Sequence, residues 1–188
     1  LPLGRVVVKM PGATLAHGEL DTRTGLGTVT LADGRILGLA MSKASGAFAV
    51  RFPEGLSYTV AAIPSMEQPL ARKALEPLGL AAPAKRADGF DWALPADPSV
   101  SLDFARADRE LVVSTRRGGA PRPAAVSFAR VREESCAQWT RFWADGARVR
   151  LPDPVLQRVF DYGMYRFGAM TDPDGVPAGL QGPWLEDD

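Results

Sequence analysis

The sequence predicts a mainly β fold, an antiparallel β-sandwich followed by two α-helices. Up to Val131, short β-branched and apolar runs alternate with Gly-, Pro- and Asp-bearing turns, the pattern of successive half-buried strands. After Val131 the apolar spacing changes to three and four. Asp153-Pro154 then supplies an N-cap followed by proline at the first helical position.

Residues 6–10 form a compact apolar strand closed by Pro11-Gly12, and residues 14–20 continue in extended form. Asp21-Thr22-Arg23-Thr24-Gly25 reads as a hairpin turn. The next strand, 27–31, places Val29 and Leu31 on one face and Thr28 and Thr30 on the other. Asp33-Gly34 predicts a two-residue primed turn, which needs φ > 0, with 36–41 as the return strand. Residues 47–52 and 56–63 make a further pair joined by Pro53-Glu54-Gly55. There Phe48, Val50 and Phe52 alternate with Ala49 and Arg51, as in a strand with one buried face. Residues 100–104, 110–114 and 125–131 supply three more strands. The stretch from 65 to 85 is a crossover, in which Ser65 and Gln68 form a capping box for a short helix limited by Pro69 and Pro77.

Glu133 and Glu134 suit a helix N-terminus, where negative charge is favourable. Cys136, Trp139, Phe142 and Trp143 follow at helical spacing, and Gly146 supplies a stop. The helix from Asp153-Pro154 carries Leu156, Val159, Phe160, Gly163, Phe167 and Met170 on its predicted buried face. It ends at Thr171-Asp172-Pro173-Asp174-Gly175, before a loop containing Trp184. A helix with such a face needs partners. The expectation is therefore a helical domain beginning near Leu151 and a sequence cut from a longer polypeptide. The opening Leu1-Pro2-Leu3, with no initiator Met and no signal-peptide pattern, agrees with that.

Composition narrows the function classes. With 22 Lys plus Arg against 22 Asp plus Glu, the chain lacks the basic surplus of a nucleic-acid binder. The local cluster Arg116, Arg117 and Arg122 lies in a Gly/Pro-rich stretch and reads as a solvated turn. Cys136 is the only cysteine and His17 the only histidine, so internal disulfides, Cys-based zinc sites and His clusters are excluded. No apolar run approaches the length that crosses a bilayer. No cofactor, nucleic-acid partner or membrane partner is implied.

Four motifs occur in a fixed order: Trp139-Thr140-Arg141-Phe142-Trp143, Leu151-Pro152-Asp153-Pro154, Tyr162-Gly163-Met164-Tyr165, and Pro177-Ala178-Gly179-Leu180-Gln181-Gly182-Pro183-Trp184. Together they resemble the linker and first barrel helix of family 95 glycoside hydrolases, the α-L-fucosidase type. Upstream, Gly18-Glu19-Leu20-Asp21 with Gly25 resembles the strand pair around that family's Leu-Asp-Leu segment. The match is dense over 139–184 and thin over 1–131. The resemblance implies a distorted, galactose-mutarotase-like β super-sandwich over 1–131 with its first strands missing. A helical linker over 132–150 would follow, and then the first helix and loop of an (α/α)6 barrel over 151–188. It implies a parent enzyme that inverts α-L-fucosides or α-L-galactosides, with the catalytic barrel as partner in cis and a carbohydrate as substrate. Such parents are often exported, which suggests a bacterial secreted or periplasmic location and leaves the cytoplasm open.

Inverting hydrolysis needs one group to protonate the leaving oxygen and another to activate water. The family's general-acid Glu and Asn-rich motif have no counterpart here, so no catalytic residue is assigned. Glu186, Asp187 and Asp188 read as polar loop residues. On the resemblance, Gln181 and Trp184 sit on a loop beside the cleft. A Trp face suits a sugar ring and a Gln can pair with hydroxyls, while packing and loop pinning are the plainer alternative. Trp139, Phe142 and Trp143 offer an aromatic sugar-stacking platform, but their helical spacing favours packing between linker and sandwich. For Phe90 and Trp92, in Gly89-Phe90-Asp91-Trp92 at a loop or strand edge, packing is expected, with sugar contact as the alternative. Cys136 reads as an inert core thiol and His17 as a strand or turn residue. Gly25-Leu26-Gly27 lacks the strand-turn-helix context of a phosphate loop. Two other readings stay open: a stand-alone carbohydrate-binding module, and the support domain of a sugar phosphorylase.

Overall fold

The computed structural model describes residues 3–95, 97–120, 126–146 and 149–171. Within them the alternating runs become ten strands. These are β1 (Gly4–Lys9), β2 (Leu15–Asp21), β3 (Leu26–Leu31), β4 (Ile36–Ser42), β5 (Ala47–Arg51), β6 (Thr59–Pro64), β7 (Ala84–Arg86), β8 (Gly89–Trp92), β9 (Val100–Ala107) and β10 (Glu110–Arg117). Three helices join them: α1 (Pro69–Leu75), α2 (Phe128–Asp145) and α3 (Pro154–Met170). All strand pairs are antiparallel. One sheet has the order β2-β3-β4-β5-β10-β9-β8-β7, and β1 pairs with β6 in a second sheet. The expected sandwich followed by two helices is thus present, with layers of very unequal width.

The apolar faces explain the layering. Leu31, Leu37, Val50, Phe52, Phe104 and Leu111 form the core between the sheets, and Val6, Val8, Val60 and Ala62 pack on it from β1 and β6. Trp92 is fully buried beneath α1 with Ala71 and Leu75, and its indole N–H donates to the Ala81 carbonyl at 2.8 Å. Phe90 is equally buried, so Gly89 to Trp92 is an interior strand rather than a loop.

The opposite face of the wide sheet receives α2. Ala40, Ala47 and Ala49 meet Phe128 and Val131 there, with Val112 and Leu26 beside them. β5 is consequently buried on both faces: Val50 points to the other sheet and Ala49 to the helix, whereas Phe48 is partly exposed. Reading β5 as half-buried missed this, because alanine is too small to announce a packed face. Three anchors hold α2. Its first turn is capped by Ser127, whose side chain accepts from Arg130 N at 3.2 Å, and by Glu110 Oε2, which accepts from Phe128 N at 2.8 Å. Near its middle, Ser42 Oγ donates to Glu134 Oε2 at 2.7 Å and Ser135 Oγ donates to the Thr24 carbonyl at 2.9 Å. At its end, Trp143 Nε1 donates to the Thr22 carbonyl at 2.8 Å.

Several expectations are corrected. The strand proposed over 125–131 is instead the start of α2 from Phe128 onward, since caps from Ser127 and Glu110 satisfy the helix's free N–H groups. Glu134 is therefore mid-helix, hydrogen-bonded to the sheet, rather than terminal charge. β5 and β6 do not pair: after Phe52 the chain leaves the wide sheet, and β6 returns against β1. Phe52 and Tyr58, at the ends of that connection, stack at 3.8 Å between ring centroids. Asp33-Gly34 sits in a three-residue loop, with Gly34 N on the Leu31 carbonyl at 2.9 Å and Leu31 N on Arg35 at 2.8 Å. Gly34 alone there has positive φ, at 85°, which fits an ordinary turn followed by a glycine bulge. Gln68, not Ser65, precedes α1, and the Ser65 hydroxyl is buried without a partner.

α3 starts as expected, with Asp153 Oδ1 accepting from Val155 N at 2.7 Å and Leu156 N at 3.3 Å. Its orientation differs. The inward side carries Phe160, Met164, Tyr165 and Gly168, with Tyr165 stacked on Trp139 at 4.4 Å. Gly168 lies against Phe142, so closely that a Cβ would come within 2.6 Å of the ring. Leu156, Val159 and Phe167, expected inside, are 56%, 63% and 60% exposed. Lys43, in the β4–β5 turn, fixes the far end by donating to the carbonyls of Gly168 at 2.8 Å and Thr171 at 2.6 Å. A cation suits a helix C-terminus. At the sheet's edge, every residue of β2 is exposed, and the β2–β3 register shifts between Leu15 and His17.

Gly25 has φ 69° and leaves only 2.2 Å between a Cβ and Trp139 Nε1. Gly25→Ala is expected to lower the urea-unfolding free energy by about 3 kcal/mol, combining left-handed strain and overpacking. Gly12→Ala, at φ 76° with nothing within 4 Å, carries the strain alone and should cost about 1 kcal/mol. Lys43→Met should cost about 1 kcal/mol and speed amide exchange selectively in the last turn of α3.

Candidate functional site

Two polar constellations stand out once the fold is assembled. The first is a cleft of about 920 Å³, lined by Arg23, Thr24, Thr140, Trp143, Arg150, Gln157, Phe160 and Asp161 among others. That size is within the range of small-molecule sites. One wall is the β2–β3 turn. Asp21 builds it: its carboxylate accepts from Arg23 N at 2.9 Å and Thr24 Oγ1 at 2.6 Å, and its carbonyl accepts from Gly25 N at 2.8 Å. The Thr24 hydroxyl is the main reason the Asp21 carboxyl is held below its ordinary value. The second wall is the end of α2, and the third is the opening of α3 with the segment leading to it.

Side chains at the cleft are unevenly satisfied. Gln157 is engaged at both ends of its amide: its Oε1 accepts from Leu151 N at 2.8 Å and its Nε2 donates to Asp161 Oδ1 at 2.9 Å. Asp161 Oδ2 lies 3.6 Å from Arg23 Nη2, an ion pair too long for a hydrogen bond. The Arg23 guanidinium sits 5.3 Å from the Trp143 ring centroid, as in a cation–π contact. Arg150 makes no side-chain hydrogen bond or ion pair among the described residues. The sequence named Trp143 for packing and read 21–25 as a turn; it missed Arg23, Arg150, Gln157 and Asp161. Only the four-residue spacing of Gln157 and Asp161, which puts both on one helix face, was there to be seen.

The second constellation lies on the outer face of β8, β9 and β10, where register aligns Asp91 with Ser101 and Ser101 with Arg116. Asp103, only 2% exposed, accepts from Arg86 Nη2 at 2.6 Å and Arg116 Nε at 2.5 Å. Arg86 also reaches Asp91 at 2.7 Å and Asp88 at 2.7 Å, and Ser101 Oγ donates to Asp91 at 2.6 Å. Burial by itself would raise the Asp103 carboxyl, but the Arg116 and Arg86 hydrogen bonds together outweigh it and hold it below the ordinary value. Asp91 is likewise lowered, chiefly by the Ser101 hydroxyl. With both oxygens of the buried Asp103 carboxylate answered by arginine, this cluster is a structural pin.

Of the sequence-based candidates, Gln181 and Trp184 lie outside the described residues, as do Glu186, Asp187 and Asp188. Trp92, Phe90 and Trp139 are buried and present no free ring face. Cys136 is a partly buried free thiol, and His17 is exposed on β2 beside Glu19 at 3.1 Å. Among the described residues no group of three or more His, Cys, Asp or Glu could hold a metal, and no helix is long and apolar enough to cross a membrane. No family model, curated protein or solved structure matches this chain.

Because the Asp103 and Asp91 carboxyls are lowered from an ordinary 3.8, their contribution to stability is complete above that value and disappears as pH falls through the depressed folded-state values. Urea midpoints are expected to decline on acidification below about pH 4. Asp103→Asn should cost about 2 kcal/mol at neutral pH and flatten that acid-side slope.

Proposed function

We propose that this chain is the non-catalytic sandwich and linker of a carbohydrate-active enzyme, supporting a helical catalytic domain of the α-L-fucosidase or α-L-galactosidase kind. The observation that carries the reading is α3. One side is fastened to α2 and to Lys43, while Val155, Leu156, Val159, Tyr162 and Phe167 are each more than half exposed on the other. An apolar stripe on a helix whose opposite side is already anchored has the form of a seat for further helices. The order of motifs, which resembles that of family 95 glycoside hydrolases, is what supports reading those helices as an (α/α)6 barrel. The sandwich then acts by burying barrel surface and holding the linker rigid through α2. The particular sugar and linkage follow from the resemblance alone.

Expressed alone, residues 1–188 should release no sugar from aryl α-L-fucosides or α-L-galactosides, whereas the full gene product should. Hydrolysis by the 188 residues that a substitution within them abolishes would overturn the reading, as would a full gene product inert on glycosides. Val159→Asp should leave the fold of the 188 residues intact, because the side chain is exposed, yet lower the yield of active full-length enzyme several-fold.

A further inference from the structure

The cleft between the β2–β3 turn, the end of α2 and the start of α3 has a charge and donor pattern that its internal contacts use only in part. The lining holds two arginines, Arg23 and Arg150, and one carboxylate, Asp161, 3.6 Å from Arg23, leaving a surplus of one positive charge. Neither arginine spends a side-chain N–H on a hydrogen bond among the described residues. Each offers five donors in a planar fork, the geometry that takes a carboxylate bidentately. Arg23 is also positioned for the task, since the Asp21 turn fixes its backbone and its guanidinium rests beside the Trp143 ring. Trp143 is held in turn by its bond to the Thr22 carbonyl. Asp161 is fixed on one oxygen by Gln157, while Oδ2, paired with Arg23 at 3.6 Å but accepting no hydrogen bond from it, can accept from a ligand hydroxyl. The Thr140 hydroxyl, on the same lining, is a further group that can donate or accept.

We infer that this cleft binds a hexuronate, a sugar ring bearing a carboxylate, with Arg23 and Arg150 taking the carboxylate and Asp161 and Thr140 taking ring hydroxyls. A neutral sugar leaves both arginine forks unanswered. A bare inorganic anion answers the forks but leaves Asp161 facing it as a like charge. A ligand that joins one negative charge to several hydroxyls fits both halves of the lining. This assignment is independent of the catalytic reading of the parent protein: either can fail alone.

Titration of the 188-residue protein with galacturonate, followed by isothermal calorimetry and by shifts of the Trp143 indole resonance, tests it. The expected result is millimolar or tighter binding that weakens with added salt. Arg23→Gln and Arg150→Gln should each weaken it about tenfold or more, and Arg23→Lys, which keeps the charge but loses the fork, should recover only part. Both arginines are exposed, so thermal unfolding of the variants should match the parent and separate lost binding from lost fold. Galactose binding as tightly as galacturonate, inorganic phosphate binding as tightly, or no galacturonate-induced shift at millimolar ligand would each overturn the assignment.

Discussion

The structure depends on how closely one helix can approach one sheet. Across β4 and β5 the face under α2 is made of Gly38, Ala40, Ala47 and Ala49, side chains that add almost no height. At Gly38 a Cβ would already stand 3.0 Å from the Phe128 ring. A close-packed interior tolerates no spare methyl there, because overpacking forces side chains off their rotamers. With α2 lying this low, the loops at the sheet's end can reach it. The β2–β3 turn bonds to Ser135 and Trp143, and the β4–β5 turn bonds to Glu134 and Gln138. α3 then packs on α2, with Tyr165 against Trp139 and Gly168 against Phe142. Raising α2 by the height of a valine would loosen every one of these contacts together.

The same sheet face changes chemistry along its width. Under α2 it is alanine and glycine, held by dispersion and exclusion of water. Farther along, on β8 to β10, it is aspartate and arginine. Asp103 is buried there, and two guanidinium groups bond its carboxylate. Burying a carboxylate is unfavourable unless its oxygens are fully answered, and both are. The two solutions meet at β10, where Val112 faces the helix and Arg116 the network. Glu110, at the start of that strand, joins them by pairing with Arg51 and capping α2.

Local chemistry was legible in the sequence; long-range choice was not. Asp153-Pro154 marked a helix start correctly because cap and helix are neighbours in the chain. Asp33-Gly34 marked a turn but not its type, since both alternatives place glycine at positive φ. The start of α2 was hidden because half of its cap, Glu110, comes from a strand eighteen residues earlier. β5 was paired with the wrong neighbour because partner choice depends on which sheet the chain returns to. The face of α3 was misjudged by about one helical position: Trp139 and Phe142 select a ring and a glycine opposite them, and apolar periodicity does not record that selection. The cleft was invisible for the same reason, its walls joined by the Thr22–Trp143 bond across 121 residues of sequence.

The β2 edge has a consequence for how the protein behaves in a crowd. A sheet of eight strands ending in a flat, unprotected rim would offer a template on which a second molecule could crystallise strand by strand. Here the rim is interrupted by the register shift before His17 and studded with the His17–Glu19 pair. A visiting strand would find its rungs misaligned and meet fixed polar side chains on arrival. The β2 rim of the wide sheet is therefore a poor seed for a fibre.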